Sequence, residues 1–315
     1  MTESFDLIII GAGPAGLCAA MYAGRGMLKA VVLERGVPGG ELLNTEKVED
    51  YPGFVSILGR DLAAKMTEHA EAFGADIRME NVDAVRREAD GTFRVETSSG
   101  TVFTAPTVII TAGGTPNKLN IPGELEYAGR GVSYCAVCDG AFFKNEVIAV
   151  VGGGDAAVEE ADYLTRYASK VYVIHRRDTF RASKLLQERL FANPKIEVIW
   201  NTTVTEIKGD PTGAKELVLK NNDGGSSTIA ATGVFIFVGF TPNSGLIKEH
   251  FAHDASGYII TDDRMMTTVP GLFAAGDLRV QLTRQVTTAV GDATTAAIAV
   301  EKYLAERRNA APAGV

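Results

Sequence analysis

Two stretches of the chain share one pattern of apolar and small residues. The β-rich run Phe5–Ile10 leads into Gly11-Ala12-Gly13-Pro14-Ala15-Gly16 and then into an Ala-rich, helix-like segment. The second copy begins with Val147–Val151 and continues through Gly152-Gly153-Gly154-Asp155-Ala156-Ala157 into another helix-like run. A short apolar run followed by a Gly-rich turn and a helix is typical of a buried strand in a βαβ unit. The pattern therefore predicts an α/β fold with this unit repeated.

The first turn has the residues of a dinucleotide fingerprint. Gly11 permits a tight turn, Gly13 lets the backbone approach a pyrophosphate, and Gly16 lets the helix pack closely on the strand. The next strand, Ala30–Leu33, ends at Glu34, about 20 residues beyond the first glycine, where the fingerprint places a ribose-binding carboxylate. This site is expected to bind a nucleotide with a free 2′-hydroxyl.

In the second unit the corresponding ribose position is basic. The strand Val171–Ile174 ends at His175, which is followed by Arg176 and Arg177, with Arg181 slightly further on. Guanidinium groups bind a 2′-phosphate bidentately, whereas a carboxylate would repel it, so this site is expected to prefer NADPH over NADH. A solvated basic loop is the alternative explanation. The register of these residues with the fingerprint makes that alternative less favoured.

A pair of cysteines lies between the two fingerprints, in the run Cys135-Ala136-Val137-Cys138-Asp139. Three cysteines in 315 residues do not make a disulfide framework, so a close pair indicates catalysis or metal binding. Zinc needs four ligands, and the third cysteine, Cys18, lies within the first fingerprint helix, so no metal site is expected. Buried, inert thiols are the other alternative. The adjacent Asp139 weighs against it, since its carboxyl can exchange protons with departing sulfurs.

Composition narrows the function classes. The chain has 315 residues, 46% of them hydrophobic and 22% charged, which is typical of about two globular domains. A net charge of -8 argues against a nucleic-acid surface. The uncharged stretch 7–24 contains several glycines and Pro14, unlike a membrane span, and Glu3 and Asp6 precede it where a secretory signal has positive charges. We expect a cytoplasmic protein with neither nucleic acid nor membrane as partner.

Together these motifs resemble those of the low-molecular-weight bacterial thioredoxin reductases, over essentially all 315 residues. The matching segments are Gly11–Gly16, Gly131–Gly140, Gly152–Glu160, His175–Arg181, Gly276-Asp277 and Arg284-Gln285-Val286.

The resemblance implies two Rossmann-like dinucleotide-binding domains, with the NADPH domain inserted into a discontinuous FAD domain. Residues 1–115 and 243–315 would form the FAD domain, and residues 116–242 would form the NADPH domain with the dithiol. In this family one domain rotates against the other, and Pro116 and Pro242 are suitable linker residues for such hinges. The resemblance also implies a homodimer.

By the same resemblance, electrons would pass from NADPH through FAD and the dithiol to thioredoxin or a thioredoxin-like protein. Cys138 would be the sulfur nearest the flavin, Cys135 would attack the partner disulfide, and Asp139 would act as the acid-base residue. Asp277 would hydrogen-bond the FAD chain, and Arg284 to Val286 would lie beside the isoalloxazine.

The full set of expected cofactor-binding residues follows from the fingerprints and the resemblance. For FAD the residues are Gly11, Gly13, Pro14, Ala15, Gly16, Glu34, Arg35, Gly40, Glu41, Asn44, Gly276, Asp277, Arg284, Gln285 and Val286. For NADPH they are Gly152, Gly154, Asp155, Ala156, Ala157, His175, Arg176, Arg177 and Arg181.

Two residues depart from the family pattern. Glu41 stands where the family has Gln near the flavin, and its charge would oppose the build-up of negative charge on the reduced ring. Val137 stands between the cysteines in place of the commoner Thr, with little expected effect.

Three other functions are alternatives to thioredoxin reductase activity. An NADPH-dependent flavin reductase of related fold, serving ferredoxin or another acceptor, has no use for a Cys pair beside Asp139. A ferredoxin-driven thioredoxin reductase would lack the basic NADPH signature. A non-catalytic redox sensor would bind the dinucleotides without turnover.

Overall fold

The computed structural model describes residues 2–45, 47–247 and 249–310, without the side chains of Cys138 and Ala310. The chain divides into two compact units, one made of residues 1–115 and 241–315 and the other of residues 116–240.

The first part of the discontinuous unit contains short strands and two long helices. The strands are β1 Thr2–Ser4, β2 Leu7–Ile10, β3 Ala30–Glu34, β4 Lys47–Val48, β5 Ile57–Leu58, β6 Asp76–Met79, β7 Val82–Arg87, β8 Phe93–Thr97, β9 Val102–Ala105, β10 Thr107–Ile110 and β11 Gly114–Pro116. The helices are α1 Pro14–Arg25 and α2 Gly59–Ala72, with a 3₁₀ helix at Gly40–Asn44.

The remaining elements form the continuous unit and complete the first one. The strands are β12 Val132–Ser133, β13 Val147–Gly152, β14 Lys170–Ile174, β15 Ile196–Ile199, β16 Thr202–Asp210, β17 Gly213–Asn221, β18 Ser226–Ala230, β19 Gly233–Phe237, β20 Phe240–Pro242 and β21 Leu272–Ala274. The helices are α3 Ala136–Asp139, α4 Asp155–Leu164, α5 Lys184–Ala192 and α6 Val286–Ala310, with a 3₁₀ helix at Gly140–Phe143.

The discontinuous unit is built on a parallel sheet with the strand order β21-β10-β2-β3-β6. Every residue of β2 is buried, because α1 and α6 pack over one face and the strands β7 to β9 lie over the other. A strand covered on both faces has no polar side, which explains the continuous apolar run in the sequence. The second sheet of this unit has the order β1-β9-β8-β7.

The continuous unit repeats this architecture. Its parallel sheet has the order β12-β19-β13-β14-β15, and β16, β17 and β18 form an antiparallel sheet beside it. Helices α4 and α5 contribute to the apolar cluster on one face of the parallel sheet, and β16 and β17 contribute to the cluster on the other. This is the α/β architecture that the sequence predicts.

The two segments that connect the units, β11 and β20, pair as a two-stranded sheet. The Thr115 hydroxyl donates to Asn243 Oδ1 at 2.6 Å, and the Asn243 N–H donates to the Gly113 carbonyl at 3.0 Å. The chain therefore leaves and re-enters the discontinuous unit at neighbouring points.

None of the helices in the described ranges combines the length and the apolar character that crossing a membrane requires.

Candidate functional site

The first Gly-rich turn joins β2 to α1, and at Gly11 and Gly16 it leaves no room for a side chain. Gly11 has a φ of +103°, and a Cβ there would lie 2.7 Å from the Thr111 carbonyl oxygen. The Thr111 hydroxyl donates to the carbonyl oxygens of Ile10 and Gly11, at 2.9 and 2.8 Å. A Cβ on Gly16 would overlap the Gly11 carbonyl oxygen. Both glycines are therefore needed for α1 to begin directly at the end of the strand.

Glu34, at the end of β3, faces this turn. Its Oε2 accepts the Ala12 N–H at 2.7 Å, and its Oε1 accepts the Gly36 N–H at 3.0 Å. Each carboxylate oxygen has a further lone pair. The carboxylate is thus held beside the turn with capacity to accept ribose hydroxyls, while Arg35 next to it is exposed.

The 3₁₀ helix Gly40–Asn44 approaches the same turn. A Cβ on Gly40, whose φ is +55°, would lie 3.0 Å from the Cα of Gly13. Glu41 is exposed, and its Oε2 accepts a hydrogen bond from Asn44 Nδ2 at 3.2 Å. No side chain in the described part of the chain caps α1. The N–H groups of its first turn are available to an anion such as a pyrophosphate.

Asp277, which follows β21, has an unpartnered buried oxygen. Its Oδ1 makes no hydrogen bond within the described residues. Burial raises the pKa of this carboxyl, the Arg284 charge opposes that rise, and the Glu41 and Asp292 carboxylates add to it. Buried polar atoms in native proteins are nearly always paired. The Oδ1 atom therefore marks a position where a ligand can supply a hydrogen-bond donor.

Arg284 and the start of α6 lie beside Asp277. Arg284 Nε donates to the Asp277 carbonyl at 3.1 Å, and its guanidinium lies 3.9 Å from the ring centroid of Tyr258. The Gln285 carbonyl accepts the Ala289 N–H, and α6 begins at the next residue, the partly buried Val286. The positive end of the helix dipole is thus located at this point.

The C-terminal part of the unit packs directly on α1. A Cβ on Gly276, which has a φ of +83°, would lie 3.1 Å from the Ala15 Cβ. The Cys18 sulfur lies 3.4 Å from both the Val290 carbonyl oxygen and the Thr294 hydroxyl. Burial raises the pKa of Cys18, with the Thr294 hydrogen bond opposing the rise, so this free thiol is poorly reactive.

The second Gly-rich turn joins β13 to α4. A Cβ on Gly152 would lie 2.5 Å from the Ala157 Cβ, whereas a Cβ on Gly154 would meet no described atom within 4 Å. Helix α4 begins at Asp155, with Ala156 exposed in its first turn and no side-chain cap from the described residues. As at the first turn, open backbone N–H groups at a helix start can bind phosphate.

The loop between β14 and α5 carries exposed basic side chains. These are Arg176, Arg177 and Arg181. The loop is held against the second turn, since the Arg181 N–H donates to the Gly153 carbonyl at 2.8 Å and the Ser183 N–H donates to Asp155 Oδ1 at 2.6 Å. The backbone of the loop is therefore fixed next to the turn that would hold a pyrophosphate.

His175 differs from the arginines that follow it. Its side chain is only 7% exposed, and its Nε2 lies 3.0 Å from the Thr179 carbonyl oxygen. The imidazole centroid lies 5.3 Å from that of Phe180 and 6.1 Å from that of Trp200. Burial lowers the pKa of His175. Within the expected NADPH set, the arginines face solvent and His175 lies beneath their loop.

Strand β12 leads to Cys135 and then into the four-residue helix α3, which contains Cys138. Cys135 is disulfide-bonded, whereas the Cys138 side chain is outside the described part of the structure. The Cys135 N–H donates to the Ser133 hydroxyl oxygen at 3.0 Å, and that hydroxyl donates to the Cys135 carbonyl at 3.1 Å. The Asp139 N–H donates to the same carbonyl at 3.2 Å. The backbone of Cys135 is thus fixed from both sides.

A buried carboxylate that no sequence motif indicates contacts Tyr134, the residue before Cys135. Glu124 is 1% exposed and accepts the Tyr134 hydroxyl at 2.6 Å, the Leu119 N–H at 2.9 Å and the Asn120 N–H at 2.5 Å. Burial, and then the Glu124 charge, raise the pKa of Tyr134. This network joins the residue before Cys135 to the segment that enters the unit. A single Glu belongs to no recognisable sequence motif, so the structural role of Glu124 is seen only from these contacts.

The family profile described as pyridine nucleotide-disulphide oxidoreductase matches residues 5–293. The chain belongs to this family.

Curated relatives refine that class. Thioredoxin reductase of Listeria monocytogenes is 49% identical over 306 residues, covering 96% of this chain and 94% of the relative. Thioredoxin reductase of Bacillus subtilis is 48% identical over 304 residues, covering 96% and 95%. The crystal structure of Lactococcus lactis thioredoxin reductase has a TM-score of 0.93 at 46% identity, covering 96% of this chain and 99% of that one. Within the family the chain groups with the thioredoxin reductases, as predicted from its motifs.

Proposed function

We propose that this enzyme transfers electrons from NADPH, through FAD and the Cys135–Cys138 dithiol, to the disulfide of thioredoxin or a thioredoxin-like protein. The most direct support is a combination of features in one chain. It has two Gly-rich turns whose ribose-binding positions carry opposite charges, and its Cys135 is disulfide-bonded. By the family resemblance, the proposal includes a cytoplasmic homodimer.

The discontinuous unit fits FAD. The Asp277 Oδ1 atom offers a buried acceptor that no described residue partners, Glu34 offers a carboxylate at the ribose position, and the start of α1 offers N–H groups that no described side chain caps. The remaining FAD-binding residues are those expected from the sequence. When bound, FAD supplies a carrier that can accept a hydride and pass electrons on to a disulfide.

The continuous unit fits NADPH. The open N-terminus of α4 suits the pyrophosphate, and the exposed arginines of the neighbouring loop suit the 2′-phosphate. The loop is bonded to the turn through Arg181 and Ser183, so both phosphate sites belong to one rigid surface.

The dithiol step follows thiol-disulfide exchange. The Cys135 thiolate attacks one sulfur of the partner disulfide, a mixed disulfide forms, and the other partner sulfur leaves as thiolate. Cys138 then attacks Cys135, which re-forms the intramolecular disulfide and releases the second partner thiol. Asp139 would supply protons to the departing sulfurs. Two electrons pass to the partner in each cycle.

Absorbance tests the electron path. The purified protein is expected to be yellow, to bleach when NADPH is added without oxygen, and to regain colour when oxidised thioredoxin is added. If dithionite bleached the protein and NADPH did not, NADPH would be excluded as the electron donor. Bleaching without recovery on thioredoxin would favour another acceptor or a sensor. Sedimentation of the same sample tests the homodimer.

A Cys138→Ser variant tests the dithiol. Flavin reduction by NADPH is expected to survive, while thioredoxin turnover stops, because the mixed disulfide can no longer be resolved. The matched control is Cys18→Ser, which changes a buried thiol in the other unit and is expected to keep both activities. Retained thioredoxin turnover in Cys138→Ser would contradict the dithiol mechanism.

A further inference from the structure

His175 connects the two parts of the proposed NADPH site from below. It directly follows β14, and its imidazole is held against the Gly-rich turn, since a Cβ on Gly153 would overlap the Nδ1 edge of the ring. The opposite edge of the ring, at Nε2, lies 3.0 Å from the carbonyl oxygen of Thr179 in the basic loop. One side chain therefore touches both the turn and the loop.

The ring is held at both edges. Its Nε2 edge lies against the Thr179 carbonyl, and its Nδ1 edge faces the backbone of Gly153 in the turn. At 7% exposure, with Phe180 and Trp200 packed around it, the ring is largely shielded from solvent. A group in this position cannot also bind a phosphate without leaving its partners.

We propose that His175 is a positioning residue for cofactor specificity: it holds the basic loop against the Gly-rich turn, so that the arginines of the loop surround the 2′-phosphate, and it does not contact the phosphate itself. This inference rests on the proposed NADPH-binding function. It assigns the motif His175-Arg176-Arg177 two separate tasks, support by the first residue and phosphate binding by the others.

The geometry explains why the support acts on phosphate binding rather than on nucleotide binding as a whole. The pyrophosphate site is made by the start of α4, which stays in place through its own strand and helix. The arginines lie on a loop whose contacts with the turn are the Arg181 and Ser183 backbone bonds and, from beneath, the His175 ring. Releasing the ring therefore loosens the loop first.

The test is calorimetric titration of the purified holoenzyme with two probes that differ only in the 2′-phosphate, 2′,5′-ADP and 5′-AMP. His175→Phe keeps an aromatic ring but loses the hydrogen bond to the Thr179 carbonyl, and it is expected to weaken 2′,5′-ADP binding about tenfold, the order of one hydrogen bond. Binding of 5′-AMP should change less than about twofold, within the range of a neutral substitution.

A conservative variant separates positioning from direct binding. In His175→Gln the side-chain amide can still donate to the Thr179 carbonyl, but it cannot carry a positive charge. If His175 only positions the loop, the His175→Gln variant should retain most of the affinity for 2′,5′-ADP. If His175 were a cationic phosphate ligand, Gln would lose as much affinity as Phe, and the inference would be overturned.

A second substitution tests the same inference in case the His175→Phe variant does not fold. Gly153→Ala leaves His175 in the chain but adds a methyl group that must displace its ring. The same phosphate-specific loss is expected. Equal losses for both probes, or no loss for either, would contradict positioning. If the unaltered enzyme bound neither probe, the proposed NADPH site itself would fail. The fluorescence of Trp200, the only tryptophan in the sequence, gives an independent record of the ring displacement.

Discussion

Asp277 shows how a single residue can be unfavourable for the protein alone and favourable once a ligand is bound. Its Oδ1 atom is buried without a donor from the described part of the chain, and two other carboxylates raise the energy of its charged form. Leaving a buried acceptor unpaired costs about 1–3 kcal/mol. A hydroxyl group of FAD at this atom would remove that cost.

Replacing Asp277 with Asn should therefore change stability and cofactor binding in opposite directions. The pKa of Asp277 is raised in the folded protein, so its stabilising contribution is present below the unfolded pKa and is lost as pH rises through the folded pKa. Asn cannot ionise, so it removes this pH-dependent cost. We expect the cofactor-free variant to melt at a higher temperature, and FAD to bind about tenfold or more weakly, the order of a hydrogen bond to a charged group.

Asp292→Asn is the matched control for that experiment. Asp292 forms a 2.8 Å ion pair with Arg279, both side chains being 13% exposed, so its loss leaves a mostly buried cation. The control should lower the melting temperature of the cofactor-free protein. If Asp277→Asn lowered it as well, the unfavourable character assigned to Asp277 would be wrong.

The burial of His175 predicts that the folded protein loses stability as the pH falls. Burial lowers its pKa in the folded protein, and the Arg176 and Arg177 charges act in the same direction. A lowered pKa means that its contribution is present above the unfolded pKa, about 6.5, and is lost as pH falls through the lowered value. Melting temperatures between pH 7.5 and 5.5 should fall more steeply in the unaltered protein than in His175→Gln. The exposed His250→Gln should leave the slope unchanged. Equal slopes in all three proteins would contradict the prediction.

At the scale of elements, the contact between α1 and the turn before it is the tightest part of the candidate FAD site. We expect Gly16→Ala to destabilise the protein by about 1–3 kcal/mol, the range of an overpacked site, and to lower its FAD content, because the new methyl group overlaps the Gly11 carbonyl oxygen. Thermal unfolding and flavin absorbance measure the two effects.

Gly291→Ala in α6 is the control for Gly16→Ala. Its Cβ would meet no described atom within 4 Å, and the residue is exposed inside a helix. Ala in place of Gly at such a position stabilises by about 0.5–1 kcal/mol. Stabilisation by both substitutions would show that the space beside Gly16 is larger than described.

Strands could be predicted where a continuous apolar run in the sequence determines which residues are buried. The run before Gly11 became β2, and the run that leads into Gly152 became β13. In contrast, the surroundings of a side chain at the end of a strand could not be predicted. His175 lies in a motif whose other members are basic and exposed, but its ring is buried because Phe180 and Trp200, from segments on either side of α5, pack around it. No local pattern contains that information.

At the scale of the whole molecule, we expect the discontinuous unit to depend little on the segment inserted into it. The Thr115 side chain bonds Asn243, and the Asn243 N–H bonds Gly113, so the two ends of the insertion lie close together. We expect a chain in which residues 116–240 are replaced by a short glycine linker to fold and to bind FAD. It should be yellow and should not be reduced by NADPH.

The complementary fragment, residues 116–240, should bind NADPH without FAD. Each fragment then serves as the control for the other, measured by cooperative unfolding and by nucleotide titration. A colourless, unfolded product from the first design would mean that the insertion contributes to the stability of the discontinuous unit.

The division into a continuous and a discontinuous unit could be anticipated only through the family resemblance. Composition indicates about two domains for 315 residues but gives no boundary. The Gly-rich turns indicate where each parallel sheet begins. That β21 completes the first sheet is a long-range pairing, and its three residues resemble many other short apolar runs.

That pairing has a consequence for synthesis on the ribosome. Val108 to Ile110 of β10 pair in register with Leu272 to Ala274 of β21, so the first sheet stays incomplete until the whole inserted unit has been translated. At elongation rates of about 5–20 residues per second the wait is on the order of ten seconds. During that time one edge of β10 is an unpaired strand open to other chains. The inserted unit, whose strands are contiguous in the chain, can fold first, and the nascent protein acquires its two nucleotide sites in the reverse of their order in the sequence.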